Sequence, residues 1–307
     1  MNNQIELLFG GDFYIDESYT SKRMFSDKII DIFQNSNFNC INFESPIIND
    51  PNLNKIIKTG PHIYTNPSII KNLKEININL VSLSNNHIRD YGDDGIKSTL
   101  DIMKKNNINT IGAGKNLEDA QKPYIYNNND LKIGMLNFCE NEWSVATKNS
   151  YGSNPLNIID NYKQIRELKK RVDYVIVIIH GGYEYYNLPS PRMKKIYRFF
   201  ADIGADLIIG HHTHCISGFE VYNDVPIIYS IGNFLFTKQS KYDNWYIGLL
   251  LKLNISKEKL NWEIIPIKQN KNNFIVSILE DEQKINVVNQ INKYSKIIND
   301  NKLLEDN

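Results

Sequence analysis

The chain of 307 residues carries 35 Lys and Arg against 35 Asp and Glu, a pI of about 7.0, and 41% hydrophobic residues. This composition is typical of folded globular proteins and, without a long run of one charge, excludes a bulk polyanion-binding surface for nucleic acid. No window approaches the roughly 18 apolar residues of a membrane span, and the start, MNNQIELLFGGD, lacks a signal-peptide pattern, so we expect a cytoplasmic protein without a membrane span.

Apolar runs of strand length alternate with segments of helical period along the first two thirds of the chain. In chain order, the predicted elements are strand 5–9, helix 24–35, strand 38–43, helix 67–76, strand 78–83, helix 95–106, strand 131–138, helix 165–171, strand 172–179, helix 191–204 and strand 205–210. Ser190 and Pro191 suit the N-cap and first turn of the last of these helices. The alternation predicts an α/β fold with a largely parallel central sheet.

The last third of the chain changes character. Strands are predicted at 225–230, 247–255 and 260–267 with no helix between them, which indicates an antiparallel second sheet. An amphipathic helix at about 282–303 closes the chain. No internal repeat or Pro/Gly linker separates these parts, so we expect residues 1–307 to form a single domain.

Five of the apolar runs are followed by residues of the types that serve as metal ligands. Because the carboxyl ends of parallel strands lie at one edge of a sheet, we expect these side chains to converge there. Carboxylates, an amide and imidazoles without thiolates form a donor set suited to Mn²⁺, Fe or Zn²⁺. The residues are Asp12, Glu44, Asn85, Asn86, His87, His180, His211, His212 and His214.

Each of these residues, taken alone, has an ordinary structural explanation. Asp12 and Asn86 suit turns, Glu44 suits a helix or turn cap, and single histidines at strand ends are usually hydrogen-bonded structural residues. Three histidines within 211–214 favour a metal site instead. Since side chains two residues apart point the same way, His212 and His214 can each reach one of two adjacent ions, bridged by a carboxylate such as Glu44 or Asp12.

The three cysteines are predicted to be reduced thiols outside the metal site. Cys40, Cys139 and Cys215 are odd in number, widely spaced and outside any CxxC pattern, which favours reduced thiols in a reducing compartment. Cys215 lies beside His214, but a free cysteine usually packs as a small apolar side chain.

The sequence resembles the CapA family of bacterial capsule or poly-γ-glutamate synthesis proteins, whose fold is similar to calcineurin-like metallophosphoesterases. The segments that carry the resemblance are GD (11–12), NFE (42–44), SLSNNHIRDYG (82–92), SNPL (153–156), HGGYE (180–184), GADLIIGHHTH (204–214) and YSIGNF (229–234). Any one of them is weak, but the combination is specific. The resemblance implies a single-domain αββα sandwich with central mixed sheets.

The resemblance also implies two divalent metal ions. One is held by Asp12, Glu44 and His214. The other shares Glu44 as the bridging carboxylate, and its further ligands are Asn86, His180 and His212. In this scheme His87 is the catalytic general acid, and Asp90 orients it.

Three positions depart from the metallophosphoesterase or family pattern. Metallophosphoesterases usually carry Asp-x-His at the first motif, where this chain has Tyr14, so the first ion is one ligand short. Gly181 stands in place of the family's Trp, and Thr213 in place of a Pro. Affinity at the first ion is therefore the open question.

Two functions follow from these residues. The first is a metal-dependent, binuclear hydrolase of the metallophosphoesterase type, acting on a small-molecule or anionic polymer substrate. The alternative is an accessory protein of capsule polymer synthesis or export that binds metal or polyanion without turnover. Neither substrate nor oligomeric state follows from the sequence. Further candidate substrate contacts are Arg89, for which a surface salt bridge is the stronger alternative, Glu184, His211 and Asn233.

Overall fold

The computed structural model describes residues 4–140, 142–300 and 304. Its strands are β1 (Ile5–Tyr14), β2 (Phe38–Phe43), β3 (Leu80–Ser82), β4 (Asn109–Ile111), β5 (Ala113–Gly114), β6 (Tyr124–Asn128), β7 (Leu131–Cys139), β8 (Gly152–Ser153), β9 (Tyr174–His180), β10 (Leu207–His211), β11 (Phe219–Tyr222), β12 (Val225–Ile228), β13 (Asn233–Phe236), β14 (Ile247–Ile255), β15 (Leu260–Gln269) and β16 (Val276–Ile278). Its helices are α1 (Asp27–Asn35), α2 (Ile69–Glu75), α3 (Gly92–Lys105), α4 (Leu117–Ala120), α5 (Ile158–Lys169), α6 (Pro191–Asp202) and α7 (Asp281–Asn299).

Two mixed sheets form the centre of the fold. The first has the strand order β16-β15-β14-β1-β2-β3-β4, with β13 also paired to β1, and the second has the order β11-β12-β10-β9-β7-β6. Strands β1 to β4 are mutually parallel, as are β7, β9, β10 and β12. Antiparallel strands lie at the edges of both parallel groups.

Three apolar layers hold the sandwich together. Alternate side chains of the two sheets pack against each other, as Leu7 of β1 and Ile178 of β9 do within one cluster. The outer face of the first sheet is covered by α1, α2 and α3, and that of the second by α5 and α6. The expected αββα sandwich is thereby confirmed. Period-two alternation in strands lets each sheet bury both of its faces.

The sheet assignment of the last third was wrong in one respect. Instead of forming an antiparallel second sheet, β14 and β15 extend the first sheet beside β1, while β12 joins the second sheet beside β10. The parallel strands are likewise divided between two sheets and do not form one. Apolar runs show that a strand is buried, but they do not say which neighbour it pairs with.

Most element boundaries lie within a few residues of their predicted positions. Strands 38–43 and 247–255 begin and end as predicted, and Ser190 caps α6 by accepting a hydrogen bond from the Met193 N–H at 3.2 Å. Helix α5 begins seven residues before the predicted 165, at Ile158. Residues 301–303 of the predicted final helix lie outside the described residues.

Within the described ranges, no helix combines the length and apolar character needed to cross a membrane. Cys40, Cys139 and Cys215 are all buried and unpaired.

Candidate metal centre

The carboxyl ends of the parallel strands of both sheets meet at one end of the sandwich. Asp12 lies within β1, Glu44 directly follows β2, His180 ends β9 and His211 ends β10. His180 and His211 are paired in register on neighbouring strands. Because in-register residues share a face, both imidazoles point between the sheets, toward Asp12 and Glu44.

A glycine lets the chain close around Asp12. A Cβ on Gly11 would lie 1.9 Å from the carbonyl oxygen of Gly232, so only glycine permits this approach. The approach allows the Asp12 N–H to donate to that carbonyl at 3.0 Å and sets Asp12 opposite Asn233.

Two groups of three buried side chains share Glu44. Asp12, Glu44 and His214 form the first group, and Glu44, His180 and His212 form the second. In each group one donor atom per residue lies within 4.8 Å of the others. Glu44 Oε1 is 3.6 Å from His214 Nε2 and 3.8 Å from His180 Nε2. A single carboxylate thus faces both groups.

Asn86 lies beside the second group. Its Oδ1 is 3.0 Å from His180 Nε2, and His212 Nδ1 lies 3.0 Å from the same nitrogen. The turn that carries Asn86 is held to β2 by a hydrogen bond from Asn85 Nδ2 to the Phe43 carbonyl at 2.8 Å. Three donor atoms from β9 and from the turns after β3 and β10 therefore meet at one point.

The two histidines after β10 adopt unusual backbone conformations. His212 has a φ of 90° and His214 a φ of 54°, both in a region that residues other than glycine rarely occupy. Asp12 Oδ2 accepts a hydrogen bond from the His212 N–H at 3.1 Å, and His214 Nδ1 lies 2.9 Å from Asn233 Oδ1. These contacts hold the strained turn so that both rings enter the site.

The electrostatics of the cluster fit divalent cations. Burial lowers the pKa of His180 well below its ordinary value, and burial with the nearby His214 lowers the pKa of His212 to about 4. Neutral imidazoles of this kind have a lone pair to offer a cation.

The pKa values of the two carboxylates are shifted in opposite directions. Burial, followed by the charge of Asp12, raises the pKa of Glu44 well above its usual value. Burial alone would raise the pKa of Asp12 as well, but contacts with His211 and His214 hold it well below its usual range. Among the described residues nothing donates a hydrogen bond to Glu44 Oε1. A bound cation would offset this buried charge.

His87 and Asp90 form a pair at the edge of the cluster. His87 Nδ1 lies 2.8 Å from Asp90 Oδ2, and the Asp90 side chain is fully buried. This leaves Nε2 as the ring nitrogen available to a ligand. His87 lines a cavity of about 370 Å³ together with Asn86, Glu184 and His212.

The remaining predicted contacts divide between the site and the surface. Glu184 lines the cavity and Asn233 contacts His214. His211 is buried with Nδ1 3.2 Å from Asp12 Oδ1, and no described residue hydrogen-bonds to that nitrogen. Arg89 pairs with Asp93 one turn along at 3.0 Å and is not among the described side chains that line the cavity.

Tyr14 takes no part in the cluster. Its hydroxyl donates to Asp16 Oδ2 at 3.2 Å, and its ring packs on Phe236 with 5.1 Å between centroids. The first group therefore gains no donor from the position two residues after Asp12.

Sequence reasoning missed three side chains of the site. Asn42 donates to Asp12 Oδ1 at 2.7 Å and lies 3.2 Å from His180 Nδ1, so it links the ligands of both groups. Lys58 contacts Asp90 and lies 3.2 Å from His87 Nδ1. Trp143 Nε1 donates to the Asn86 carbonyl at 3.0 Å. Asn42 sits inside an apolar strand, and Lys58 and Trp143 sit in loops without periodicity.

Comparison with known proteins gives a family match. Residues 6–238 match the family model described as bacterial capsule synthesis protein PGA_cap. The PGA biosynthesis protein CapA of Bacillus subtilis (strain 168) is 38% identical over 208 residues, which are 67% of this chain and 54% of that protein. The capsule biosynthesis protein CapA of Bacillus anthracis is 35% identical over 211 residues, 66% of this chain and 51% of that protein. The chain thus spans about half the length of these curated relatives.

Three solved structures overlap the chain with TM-scores between 0.43 and 0.47. A 5'-nucleotidase from Candida albicans SC5314 matches with a TM-score of 0.47 at 10% identity, over 97% of this chain and 59% of that one.

Proposed function

The chain belongs to the bacterial capsule synthesis protein family PGA_cap, and from that membership and the geometry of the site we propose that it is a metal-dependent hydrolase of the metallophosphoesterase type. The observation that carries the proposal is the pair of buried donor groups that share Glu44. Two buried carboxylates lie beside His180 and His212, whose pKa values burial lowers, and one carboxylate oxygen lacks a donor in the described part of the chain. This is a costly arrangement unless cations occupy it.

We assign the residues as two overlapping cation sites for Mn²⁺, Fe or Zn²⁺. Asp12, Glu44 and His214 would hold one ion. Glu44, together with Asn86, His180 and His212, would hold the other. When bound, the pair of ions supplies Lewis-acid polarisation of the scissile ester and offsets the charge that develops on it.

His87 carries the proton for the leaving group in this proposal. With Asp90 accepting the hydrogen on Nδ1, the ring presents Nε2 to the cavity, and it donates from there when the imidazole carries a proton on both nitrogens. Asp90 fixes the orientation of the ring, because a carboxylate 2.8 Å from Nδ1 requires the hydrogen to lie between them. General acids of this kind typically contribute about 10²- to 10⁴-fold to the rate.

The test is turnover by protein purified without chelator. With Mn²⁺ added, we expect hydrolysis of 4-nitrophenyl phosphate or bis(4-nitrophenyl) phosphate that is lost on chelation. Asn86→Ala should abolish most of it, and His87→Ala should abolish most turnover of phenyl phosphate, whose poor leaving group needs the acid. His62→Ala serves as a control, since His62 contacts the Ile56 carbonyl outside the cluster. Wild-type rates in Asn86→Ala on either chromogenic ester, or in His87→Ala on phenyl phosphate, would overturn the assignment.

One observation favours the alternative of binding without turnover. Because the Tyr14 hydroxyl is committed to Asp16, the first ion has three assigned protein ligands, whereas the second has four. Saturable binding of a capsule polymer with no hydrolysis of either chromogenic ester would favour an accessory role in capsule synthesis over an enzyme.

A further inference from the structure

Lys58 is a buried cation at the wall of the cavity. Its side chain is 1% exposed and its Nζ forms an ion pair with Asp90 Oδ1. The same nitrogen lies 3.2 Å from His87 Nδ1 and 5.4 Å from the centre of the Trp143 ring. Burying an ammonium group is costly without a partner, and Asp90 is that partner here. The ion pair lies directly beside His87, the candidate general acid.

Asp90 is held at both carboxylate oxygens. Lys58 occupies Oδ1, while Oδ2 accepts the Ile63 N–H at 2.8 Å and faces His87 Nδ1 at the same distance. The hydrogen between Nδ1 and Oδ2 must sit on the imidazole, because an ionised carboxylate has none to donate. Lys58 therefore cannot donate to Nδ1, and its hydrogen bond goes to Asp90.

We propose that Lys58 is a positioning residue: by holding Asp90 Oδ1, it keeps Oδ2 turned toward His87 and so fixes the imidazole with Nε2 toward the cavity. The catalytic consequence rests on the proposed hydrolase function, but the positioning itself does not. Lys58 lies in the loop between β2 and α2, 32 residues from Asp90, so the loop and the turn after β3 are joined at this point.

The same contacts argue against two simpler roles. A substrate anion cannot readily use Lys58, because its side chain is almost fully buried and its charge is opposed by Asp90. A purely structural lysine would not need to approach the imidazole of His87, whereas Lys55 in the same loop lies over the Tyr91 ring at 5.6 Å, away from the cavity.

The loss of kcat on esters with poor and good leaving groups separates a positioning role from general damage to the site. A general acid matters for a poor leaving group and little for a good one, so Lys58→Met should lower kcat about 10²-fold on phenyl phosphate and less than about threefold on 4-nitrophenyl phosphate, with KM unchanged. Lys58→Arg should restore most of the loss, and Lys55→Met should behave as wild type. Equal losses on both esters would overturn the proposal.

A double-mutant cycle tests whether Lys58 acts through Asp90. Added to Asp90→Asn, Lys58→Met should cost less than about twofold further, since its only route is already broken. The double variant also removes the unpaired buried carboxylate that could unfold Lys58→Met. An undiminished effect in the Asp90→Asn background would contradict the proposal.

A measurement without turnover keeps the two hypotheses apart. In protein loaded with diamagnetic Zn²⁺, proton NMR should show a slowly exchanging downfield Nδ1 proton that is absent in His87→Gln. It should persist in Lys55→Met and Lys58→Arg and broaden in Lys58→Met. A sharp, unchanged resonance in Lys58→Met would overturn the positioning role, whereas wild-type protein inactive on every ester would overturn only the proposed function.

Discussion

Two buried carboxylates in this fold have different surroundings. Glu220 on β11 is 2% exposed, and its oxygens accept hydrogen bonds from Arg198 of α6, at 3.0 Å and 2.5 Å, and from the Tyr229 hydroxyl at 2.5 Å. Glu44 is fully buried at the other cluster, where its described neighbours include Asp12, the Asn42 amide and the imidazoles of His180, His212 and His214.

The two clusters differ in the source of the positive charge that balances the carboxylate. The fold supplies Glu220 with its own cation, Arg198, so that site is complete without a ligand. Near Glu44 and Asp12, burial lowers the pKa of both His180 and His212, and one oxygen of Glu44 has no donor among the described residues. We infer that their countercharge comes from solution.

Glu44→Gln should have the largest effect on cation binding. Glu44 is the one side chain common to both donor groups, so its loss should abolish binding of both cations. Since a ligand at about 100 times its Kd stabilises a protein by about 2.7 kcal/mol per site, the variant should lose the whole rise in melting temperature that Mn²⁺ gives wild type. Thermal unfolding with and without Mn²⁺ measures this.

The metal-free protein provides the control for that variant. Without Mn²⁺, Glu44→Gln should be at least as stable as wild type, because a neutral amide costs less to bury than a carboxylate. A variant that still gained wild-type stabilisation from Mn²⁺ would show that Glu44 holds no cation.

Glu220→Gln should show the opposite pattern. Breaking a buried ion pair costs about 3–5 kcal/mol, and here we expect on the order of 2–3 kcal/mol because the Arg198 side chain is 30% exposed. The added stability from Mn²⁺ should stay as in wild type. Chemical unfolding gives the first quantity, and a coupled loss of metal binding would erase the distinction between the clusters.

Asn42→Ala should weaken metal binding at the cluster. Asn42 orients Asp12 through a 2.7 Å hydrogen bond, and removing such a partner typically weakens metal affinity about 10- to 100-fold. Titration with Mn²⁺ measures the change. Asn39→Ala on the same strand is the matched control, because the Asn39 amide binds the Phe33 and Asn77 carbonyls instead. Equal affinities in the two variants would contradict a positioning role for Asn42.

Arg89→Met should have the smallest effect. Its pair with Asp93 is partly exposed and one helical turn apart, so we expect less than about 0.5 kcal/mol of lost stability and kcat/KM within about twofold of wild type. A tenfold rise in KM would instead restore the anion-clamp hypothesis for Arg89.

The convergence of the candidate ligands was predictable where it depends on strand ends. Asp12, His180 and His212 each follow an apolar run, and the rule that parallel strands end at one edge applied even though the strands belong to two sheets. Local sequence carries this information, because burial of a strand and the polar residue that ends it are adjacent in the chain.

Other parts depend on contacts that no local pattern encodes. Pairing of Ile5 with Ile255 joins strands from opposite ends of the chain, which is why β14 was assigned to the wrong sheet. Lys58 reaches the site from an irregular loop, and Asn42 faces Asp12 from inside a buried strand. Their contacts at the site depend on side-chain distances that only the folded structure provides.

Anomalous scattering from crystals grown with Mn²⁺ would locate the cations relative to Glu44. We predict two anomalous peaks, one on each side of the Glu44 carboxylate, with Asp12 and His214 at the first and with Asn86, His180 and His212 at the second. Absence of a peak at Glu44 in Mn²⁺-saturated crystals, or manganese bound only elsewhere, would contradict the account.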